Sequence, residues 1–248
     1  MLIVVPAWNE SQSVAATVRE IRAALPLAAV LVVDDGSTDE TGSVAAAAGA
    51  RVLTLPFNLG VGGAMRAGFR YAVRNGYRAA VQVDADGQHD PAGVPALLSA
   101  LDSADLVIGS RFAEPGGYHV HGPRKWAMRL LAVVLSRLAR TPLTDVTSGF
   151  KAVGGRALPL FAEHYPVEYL GDTVESLVIA VRGGCVIAEV PARMRPRRGG
   201  NPSHGPWKSG VYLFRACFAL LLALVRRWDL TMPEPVVAQP APQADPVG

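Results

Sequence analysis

The first half of the chain alternates short apolar runs with longer amphipathic segments, and this alternation most constrains the fold. The apolar runs predict β-strands at residues 2–6, 29–34, 51–55, 79–84 and 105–109, and a later run predicts one at 184–191. Apolar residues at helical spacing predict helices at about residues 11–24, 38–48, 62–75 and 92–102. This pattern is typical of an α/β fold with a mostly parallel sheet, because right-handed crossovers bring the carboxyl ends of the strands to one edge.

Carboxylates follow three of the predicted strands. The first strand ends in Pro6-Ala7-Trp8-Asn9-Glu10, the second in Asp34-Asp35-Gly36-Ser37, and the fourth in Asp84-Ala85-Asp86. Carboxylates that meet at one edge repel each other unless a cation or a hydrogen-bonding ligand lies between them. Open α/β sheets bind their ligands at this edge. The sequence therefore predicts a crevice for a nucleotide and its metal, in which Trp8 stacks on a base and Asp34 accepts hydrogen bonds from base or ribose.

The Asp84-Ala85-Asp86 stretch predicts the metal site itself. Its two carboxylates and the Gln88 amide oxygen are hard ligands, suited to Mg²⁺ or Mn²⁺ that also binds phosphate oxygens. Neighbouring residues have structural interpretations as well. Asp90 is expected to cap the helix that follows it, Asp35 to stabilise a turn or a helix end, and Trp8 is equally consistent with a core aromatic.

Composition limits the class of protein. With 248 residues, half of them hydrophobic, the chain is long enough for one large domain or two small ones. A net charge of +3 is too small to indicate a nucleic-acid partner, so none is expected. Cys185 and Cys217 lie in apolar runs and are predicted to be buried thiols in a reducing compartment. Because residues 2–6 already predict a strand, no signal peptide is expected.

Six motifs resemble, in order, those of the family-2 glycosyltransferases. They lie at residues 6–10, 32–39, 58–63, 84–91, 109–112 and 148–150. The resemblance spans about residues 1–205 and is strongest to the dolichyl- or polyprenyl-phosphate sugar transferases. It implies a GT-A fold, a nucleotide-diphosphate sugar donor, a divalent metal at the Asp-x-Asp motif, and inversion at the anomeric carbon.

The resemblance also implies roles for individual residues. It assigns the nucleotide sugar to Pro6, Trp8, Glu10, Asp34, Asp84 and Ala85, and the metal to Asp84, Asp86 and Gln88. It places Arg111 against the diphosphate, so that Asp86 and Arg111 are predicted to be catalytic. Trp8 stands where a tyrosine is more usual, which leaves the identity of the base open. The Gln-x-x-Arg-Trp motif of processive synthases is absent, since Leu224 stands where its glutamine belongs.

The acceptor side is predicted from three later segments. Residues 145–151, which include Ser148, match the family's loop beside the acceptor. Asp172 and Glu175 are either a general base for a hydroxyl acceptor or a capping box for the apolar run that follows them. An acceptor phosphate is already anionic near neutral pH and needs no strong base. Arg124 and the basic residues of the loop at 193–208, Arg197 and Arg198 among them, are expected to bind donor or lipid phosphate.

Two segments indicate a membrane surface. Residues 124–140 predict a helix with a basic face and an apolar face of Met128, Leu131, Val134, Leu135 and Leu138. That apolar face fits either the core or a membrane, and we favour the membrane because a second such segment follows at 211–225. The second segment is shorter than the roughly 20 residues of a spanning helix. We expect a catalytic domain at 1–205, an interfacial helix at 206–230 and a disordered tail at 231–248.

These observations predict a metal-dependent, inverting glycosyltransferase that is peripheral to the inner, cytoplasmic face of a membrane. The expected acceptor is a polyprenyl phosphate, and a hydroxyl of a cell-surface glycan or small metabolite is the alternative. A non-catalytic scaffold that binds nucleotide sugars would be expected to lose Asp86 or Arg111, and both are present. A sugar nucleotidyltransferase needs a glycine-rich pyrophosphate loop near the N-terminus, which residues 2–10 lack. No partner subunit, in the membrane or outside it, can be named from the sequence.

Overall fold

A computed structural model describes residues 1–112, 123–167 and 172–195, with side chains from residue 128 onward in the second range and from residue 173 onward in the third. The elements alternate along the chain as β1 (Leu2–Ala7), α1 (Val14–Ala24), β2 (Ala29–Asp34), α2 (Thr41–Ala47), β3 (Arg51–Thr54), α3 (Gly60–Arg74), β4 (Ala80–Gln82), a 3₁₀ turn (Pro91–Gly93), α4 (Val94–Ala100), β5 (Leu106–Ser110), α5 (Pro123–Ala139), β6 (Lys151–Val153), α6 (Ala157–His164), α7 (Asp172–Arg182) and β7 (Ile187–Pro191).

Within the described residues, seven strands form one sheet in the order β3-β2-β1-β4-β6-β5-β7. All neighbours are parallel except at β6, which runs antiparallel to both β4 and β5. The α/β fold, the five predicted early strands and the late strand are confirmed. Strand β6 and helix α6 were not predicted. Because β6 is reversed, its amino end lies at the same edge of the sheet as the carboxyl ends of β4 and β5.

The sheet separates two hydrophobic cores, because successive residues of a strand face opposite sides. In β1, Leu2 and Val4 join the core formed with α3, α5, α6 and α7, whereas Ile3 and Val5 join the core formed with α1, α2 and α4. Both faces of the central strands are therefore buried. This explains why their sequences are almost continuously apolar rather than alternating.

Helix α5 corrects the prediction about its apolar face. Leu131 and Leu135 are fully buried in the first core, and Met128, Val134 and Leu138 pack against it. The predicted apolar face is therefore a core face and not a membrane face. The helix also packs on α7. Among the described residues no helix is both long enough and apolar enough to span a bilayer. The predicted interfacial helix at 206–230 and the predicted tail at 231–248 lie outside the described residues.

Candidate active site

Five strand ends meet at one edge of the sheet. They are the carboxyl ends of β1, β2, β4 and β5 and the amino end of β6. In the register of the sheet Ala7 is opposite Asp34, and Val4 is opposite Gln82. The motifs that follow these strands are therefore brought together, as predicted from a parallel sheet.

The loops that follow β1 and β2 are joined by hydrogen bonds. The backbone N–H groups of Asn9 and Ser11 donate to Ser37 Oγ (3.0 Å) and Asp39 Oδ2 (3.2 Å), and the N–H of Thr38 donates to Asn9 Oδ1 (2.8 Å). The N–H of Glu10 donates to the hydroxyl of Thr41 at the start of α2 (2.8 Å). These bonds fix the two loops relative to each other and form one wall of the crevice.

The start of α2 lacks a capping box, although the spacing of its residues would allow one. Ser37 and Glu40 have the spacing of a capping box for α2. In the structure α2 begins at Thr41, and the residue before it, Glu40, makes no side-chain capping bond. The Ser37 side chain is instead used by the loop after β1, and Asp39 accepts the N–H of Thr41 (3.0 Å). A contact between loops at Ser37 and a local bond to Asp39 therefore replace the capping box.

The residues predicted to hold the nucleoside lie along this wall. Pro6 is half-buried in β1, and Trp8 is exposed just beyond it, which excludes the interpretation of Trp8 as a core aromatic. Asp34 is buried at the end of β2, where its Oδ1 accepts the N–H of Ser37 (3.0 Å). Glu10 accepts a hydrogen bond from Ser13 Oγ (2.5 Å). An indole next to a buried carboxylate suits a base and its ribose.

Asp35 has the structural role that its position in a turn suggested. Its Oδ1 accepts the N–H of Leu59, the residue that precedes α3 (2.7 Å). Burial raises the pKa of the Asp35 carboxyl, and the hydrogen bonds from the start of α3 oppose this rise. Gly36 follows with a φ of +68°, and a Cβ there would lie 2.7 Å from the backbone of Phe57. The turn therefore requires glycine to let β2 and α3 approach.

The Asp84-Ala85-Asp86 loop is tightly bonded to its surroundings. Asp86 is buried, and its Oδ1 accepts the N–H of Gln88 (3.0 Å). The carboxylate of Asp84 is 37% exposed, and its Oδ1 accepts a hydrogen bond from Gln82 Nε2 (3.0 Å). Ala85 is buried, and its carbonyl oxygen accepts the hydroxyl of Thr17 from α1 (2.9 Å). Asp90 caps the following turn by accepting the N–H of Ala92 (3.0 Å), as predicted.

A buried histidine supports the same loop, and it was not predicted. Nδ1 of His89 accepts the N–H of Asp84 (3.0 Å), and its Nε2 lies 3.6 Å from Asp84 Oδ2. The ring stacks on Phe150 with centroids 5.0 Å apart. The start of the basic loop at 193–208 also lies here, because Met194 pairs with His89 in a β-bridge and the N–H of Arg195 donates to Gln88 O (2.9 Å).

Arg195 fastens that segment to the rest of the fold. Its guanidinium binds the carboxylates of Glu20 in α1 and Asp90 (2.7 Å for Asp90). The basic loop at 193–208 was predicted to bind phosphate as a whole. The structure instead gives Arg195 an anchoring role, and Arg197 and Arg198 lie outside the described residues. The side chains of Arg124 and Asp172 also lie outside them, although both residues are within described helices.

Arg111, at the end of β5, forms a bidentate ion pair with Asp145. Its Nε and one terminal nitrogen donate to the two carboxylate oxygens at 2.6 and 2.8 Å. The same terminal nitrogen donates to Thr147 Oγ1 (2.9 Å), and the backbone N–H of Arg111 donates to Asp145 Oδ2 (3.1 Å). Asp145 is fully buried, and 22% of the Arg111 side chain is exposed. The guanidinium is thus oriented by a carboxylate that the sequence did not identify.

Glu189, in the middle of β7, holds the turn that carries Asp145. Its carboxylate accepts the N–H groups of Thr144 (2.7 Å) and Asp145 (3.1 Å) and the hydroxyl of Thr144 (2.5 Å). The turn that carries Asp145 is therefore fixed to the sheet. Ser148, in the predicted acceptor loop, is buried, and its Oγ accepts the N–H of Phe150 (3.2 Å). Glu175 is half-buried in the first turn of α7.

The carboxylates suit a divalent cation in their chemistry. Asp84 and Asp86 supply hard oxygen donors at the end of a strand, and Gln88 adds a half-buried amide. Among the described residues there is no group of three His, Cys, Asp or Glu side chains that would enclose a metal by itself. A cation bound here would take further ligands from phosphate oxygens and water, as Mg²⁺ does in phosphate-transfer sites.

Comparison with known proteins identifies this architecture. The model of the glycosyl transferase family 2 matches residues 2–157. The chain is 40% identical over 204 residues to an undecaprenyl-phosphate mannosyltransferase of Micrococcus luteus, covering 77% of this chain and 82% of that protein. It is 37% identical over 166 residues to a polyprenol monophosphomannose synthase of Mycolicibacterium smegmatis, covering 61% and 60% of the two chains.

A solved structure shares the fold. Glucosyl-3-phosphoglycerate synthase of Mycobacterium tuberculosis, in complex with Mn²⁺, uridine diphosphate and glucosyl-3-phosphoglycerate, has a TM-score of 0.70 at 23% identity. The match covers 92% of this chain and 81% of that one. The shared architecture is the GT-A fold.

Proposed function

Because the chain belongs to glycosyltransferase family 2, we propose that it transfers a sugar from a nucleoside-diphosphate sugar to a polyprenyl phosphate at a membrane surface. One observation carries the choice of acceptor. The chain is 40% identical over 204 residues to an undecaprenyl-phosphate mannosyltransferase, and the match covers 82% of that protein.

The donor is proposed to bind along the ends of β1, β2 and β4. Trp8 stacks on the base, and the buried Asp34 accepts hydrogen bonds from the base or ribose. Asp84 and Asp86, with Gln88, would hold Mg²⁺ or Mn²⁺ against the diphosphate. When bound, such a cation neutralises charge on the phosphate oxygens. Arg111, oriented by Asp145, adds a fixed positive charge at the end of β5.

The proposed reaction is a single displacement at the anomeric carbon. An acceptor phosphate oxygen attacks that carbon, the bond to the donor's phosphate oxygen breaks, and the nucleoside diphosphate leaves with the bonding electrons. The strand ends hold donor and acceptor in line, which removes much of the entropic barrier. Preorganised positive charge then stabilises the leaving group as its charge develops. Because the acceptor phosphate is anionic near neutral pH, Asp172 and Glu175 are not required as a base for this acceptor.

The basic face of α5, rather than its apolar face, supports contact with the membrane. Arg129, Leu130, Val133, Arg137 and Arg140 are all exposed. At about 100° per residue the first four fall on one side of the helix, opposite the buried Leu131 and Leu135, and Arg140 directly follows the last residue of α5. Exposed arginines interleaved with aliphatic side chains, with no acidic residue in the helix, suit an anionic bilayer surface.

The transfer reaction is tested with a donor panel. Purified protein is mixed with GDP-mannose, UDP-glucose or UDP-N-acetylglucosamine and with Mg²⁺ or Mn²⁺, with and without undecaprenyl phosphate, and release of nucleoside diphosphate is measured. We expect release that requires both the metal and the polyprenyl phosphate. If a hydroxyl acceptor such as a simple glycoside stimulates release instead, the alternative acceptor class is supported and the polyprenyl phosphate is not. No release with any donor would contradict it.

The membrane face is tested by vesicle sedimentation. The double variant Arg129→Glu/Arg137→Glu should lose binding to vesicles of phosphatidylglycerol and phosphatidylcholine. The double variant Arg70→Glu/Arg74→Glu changes the net charge equally on exposed positions of α3, and should keep binding. Equal loss in both variants would indicate a general effect of charge, and no loss in the first would exclude this face of α5.

A further inference from the structure

Asp84 is the more exposed carboxylate of the proposed metal site, and Gln82, the last residue of β4, donates a hydrogen bond to it. Gln82 lies two residues earlier in extended chain, so its side chain is on the same face of the sheet as that of Asp84. Its Nε2 donates to Asp84 Oδ1 at 3.0 Å. The other oxygen, Oδ2, lies 3.6 Å from Nε2 of His89. Because His89 accepts the N–H of Asp84 at Nδ1, its neutral form carries the ring proton at Nε2 and presents it to this side.

Packing alone does not account for a glutamine at this position. Gln82 is only 2% exposed, and its Oε1 has no hydrogen-bond partner among the described residues. An unpaired buried carbonyl oxygen costs stability, and leucine has a similar volume without that cost. A polar group that is buried and half-satisfied next to a functional carboxylate is expected where activity, rather than stability, requires it.

The predicted acceptor loop at residues 145–151 lies against both Gln82 and Asp84. A Cβ at Gly149 would lie 3.0 Å from Gln82 Nε2 and 3.3 Å from Asp84 Oδ2. The backbone of the loop therefore lies directly against the amide and the carboxylate, and it limits the space in which either could rotate. His89 is in turn packed by stacking on Phe150 of the same loop.

We propose that Gln82 is a positioning residue that fixes the rotation of the Asp84 carboxylate, and through it the affinity of the site for the metal of the bound nucleoside diphosphate. The inference rests on the proposed function, because it concerns the metal site of that reaction. The amide donates to Oδ1 while Nε2 of His89 lies near Oδ2, so that the two contacts together set the plane of the carboxylate. Outer hydrogen bonds of this kind set the orientation and affinity of ligating carboxylates.

The test measures metal binding rather than turnover. Binding of Mn²⁺ to the whole protein is followed by the electron paramagnetic resonance signal of free Mn²⁺, with GDP and separately with UDP. Gln82→Leu should weaken Mn²⁺ affinity by about 10- to 100-fold, the usual effect of removing such an outer contact. The same variant should unfold at an equal or higher temperature, because it removes an unpaired buried oxygen. Gln82→Met, a flexible side chain of similar length without a donor, should behave alike.

Ser176→Ala is the matched control. It removes a buried hydrogen bond from Ser176 Oγ to Thr173 O (2.8 Å) in α7, and should lower the unfolding temperature without changing Mn²⁺ affinity. Unchanged Mn²⁺ affinity in folded Gln82→Leu and Gln82→Met would overturn the positioning role. If the wild-type protein binds no Mn²⁺ with either nucleotide, the metal site and the positioning role both fail. If Mn²⁺ binds and depends on Gln82 but no sugar is transferred, only the proposed reaction fails.

Discussion

The bidentate ion pair between Arg111 and Asp145 allows a loss of unfolding free energy to be predicted from the structure. We consider Asp145→Asn, which keeps the shape of the side chain and removes its charge. Asp145 is fully buried and accepts three hydrogen bonds from Arg111, two from the guanidinium and one from the backbone N–H. The asparagine NH₂ group would face donors instead of accepting from them. The guanidinium would then be left largely buried without its counter-charge.

The magnitude follows from the burial of the two partners. Removing one partner of a buried ion pair costs about 3–5 kcal/mol. Because 22% of the Arg111 side chain reaches solvent, which screens part of its charge, we expect the lower end, about 3 kcal/mol. At about 2–4 °C per kcal/mol for a chain of this size, the unfolding temperature should fall by about 6–12 °C. Urea unfolding followed by circular dichroism measures the free energy directly.

A double-mutant cycle separates the pair from its surroundings. The double variant Arg111→Met/Asp145→Asn should lose much less unfolding free energy than the two single variants lose in sum. The second substitution removes the charge that the first one left unpaired. Arg156→Met is the control, since Arg156 lies 3.7 Å from Asp105, is mostly exposed, and should contribute less than about 1 kcal/mol. Additive costs, or a loss in Asp145→Asn as small as in the control, would refute the argument.

Three further predictions concern individual carboxylates. Asp86→Asn should abolish metal-dependent release of nucleoside diphosphate while leaving the circular dichroism spectrum and unfolding temperature close to wild type; full activity would remove the metal hypothesis. The free energy of unfolding of Asp35→Asn should increase relative to that of wild type as the pH rises from about 4 to 7. Burial raises the pKa of Asp35 in the folded state, so that ionisation of its carboxyl above the unfolded-state pKa destabilises the wild-type protein. A difference in urea unfolding that does not change with pH would contradict this. Glu189→Gln should lower the free energy of unfolding by about 1–3 kcal/mol, because one amide oxygen cannot replace a carboxylate that accepts from two N–H groups and a hydroxyl. A free energy of unfolding equal to that of wild type would exclude the supporting role of Glu189.

The sequence predicted that the motifs after β1, β2 and β4 share one edge, because these strands are parallel. Buried on both faces, β1 and β2 are almost continuously apolar, β4 is apolar apart from Gln82, and each is followed by a polar motif. Such a boundary locates both the strand and its carboxyl end. Placing Asp34 and Asp84 at one edge then required only the general rule for crossovers. The exposure of Trp8, in contrast, needed the structure, since a tryptophan after a strand fits a core equally well.

The acceptor side could not be predicted in the same way. Strand β6 has three residues and begins with Lys151, so no apolar run marks it. Lys151 is nevertheless buried, because its Nζ donates to Tyr165 Oη (2.8 Å) and lies over the ring of Tyr165. The ion pair of Arg111 with Asp145 joins residues 34 positions apart, and Glu189 reaches Asp145 across 44 more. Contacts between residues this distant leave no local pattern.

Helix α5 shows how a correct pattern can support a wrong assignment. Its amphipathic periodicity was predicted, and the helix is where it was expected. Periodicity identifies which residues share a face, but it does not say what covers that face. The most apolar face of α5 packs in the core. The exposed face combines arginines with Leu130 and Val133, and it is the face that a membrane could contact. A moderately apolar, basic face is also the better interfacial surface, because a strongly apolar one would destabilise the protein in water.

The reversal of β6 explains how donor and acceptor sides come to share a boundary. A parallel strand between β4 and β5 would begin at the opposite edge of the sheet, and the loop before it would lie far from Asp84. Because β6 is antiparallel, residues 145–150 enter the sheet at the donor edge and bring Gly149 against the Gln82 amide and the Asp84 carboxylate. The loop that is proposed to receive the acceptor is therefore in direct contact with the group proposed to hold the donor's metal.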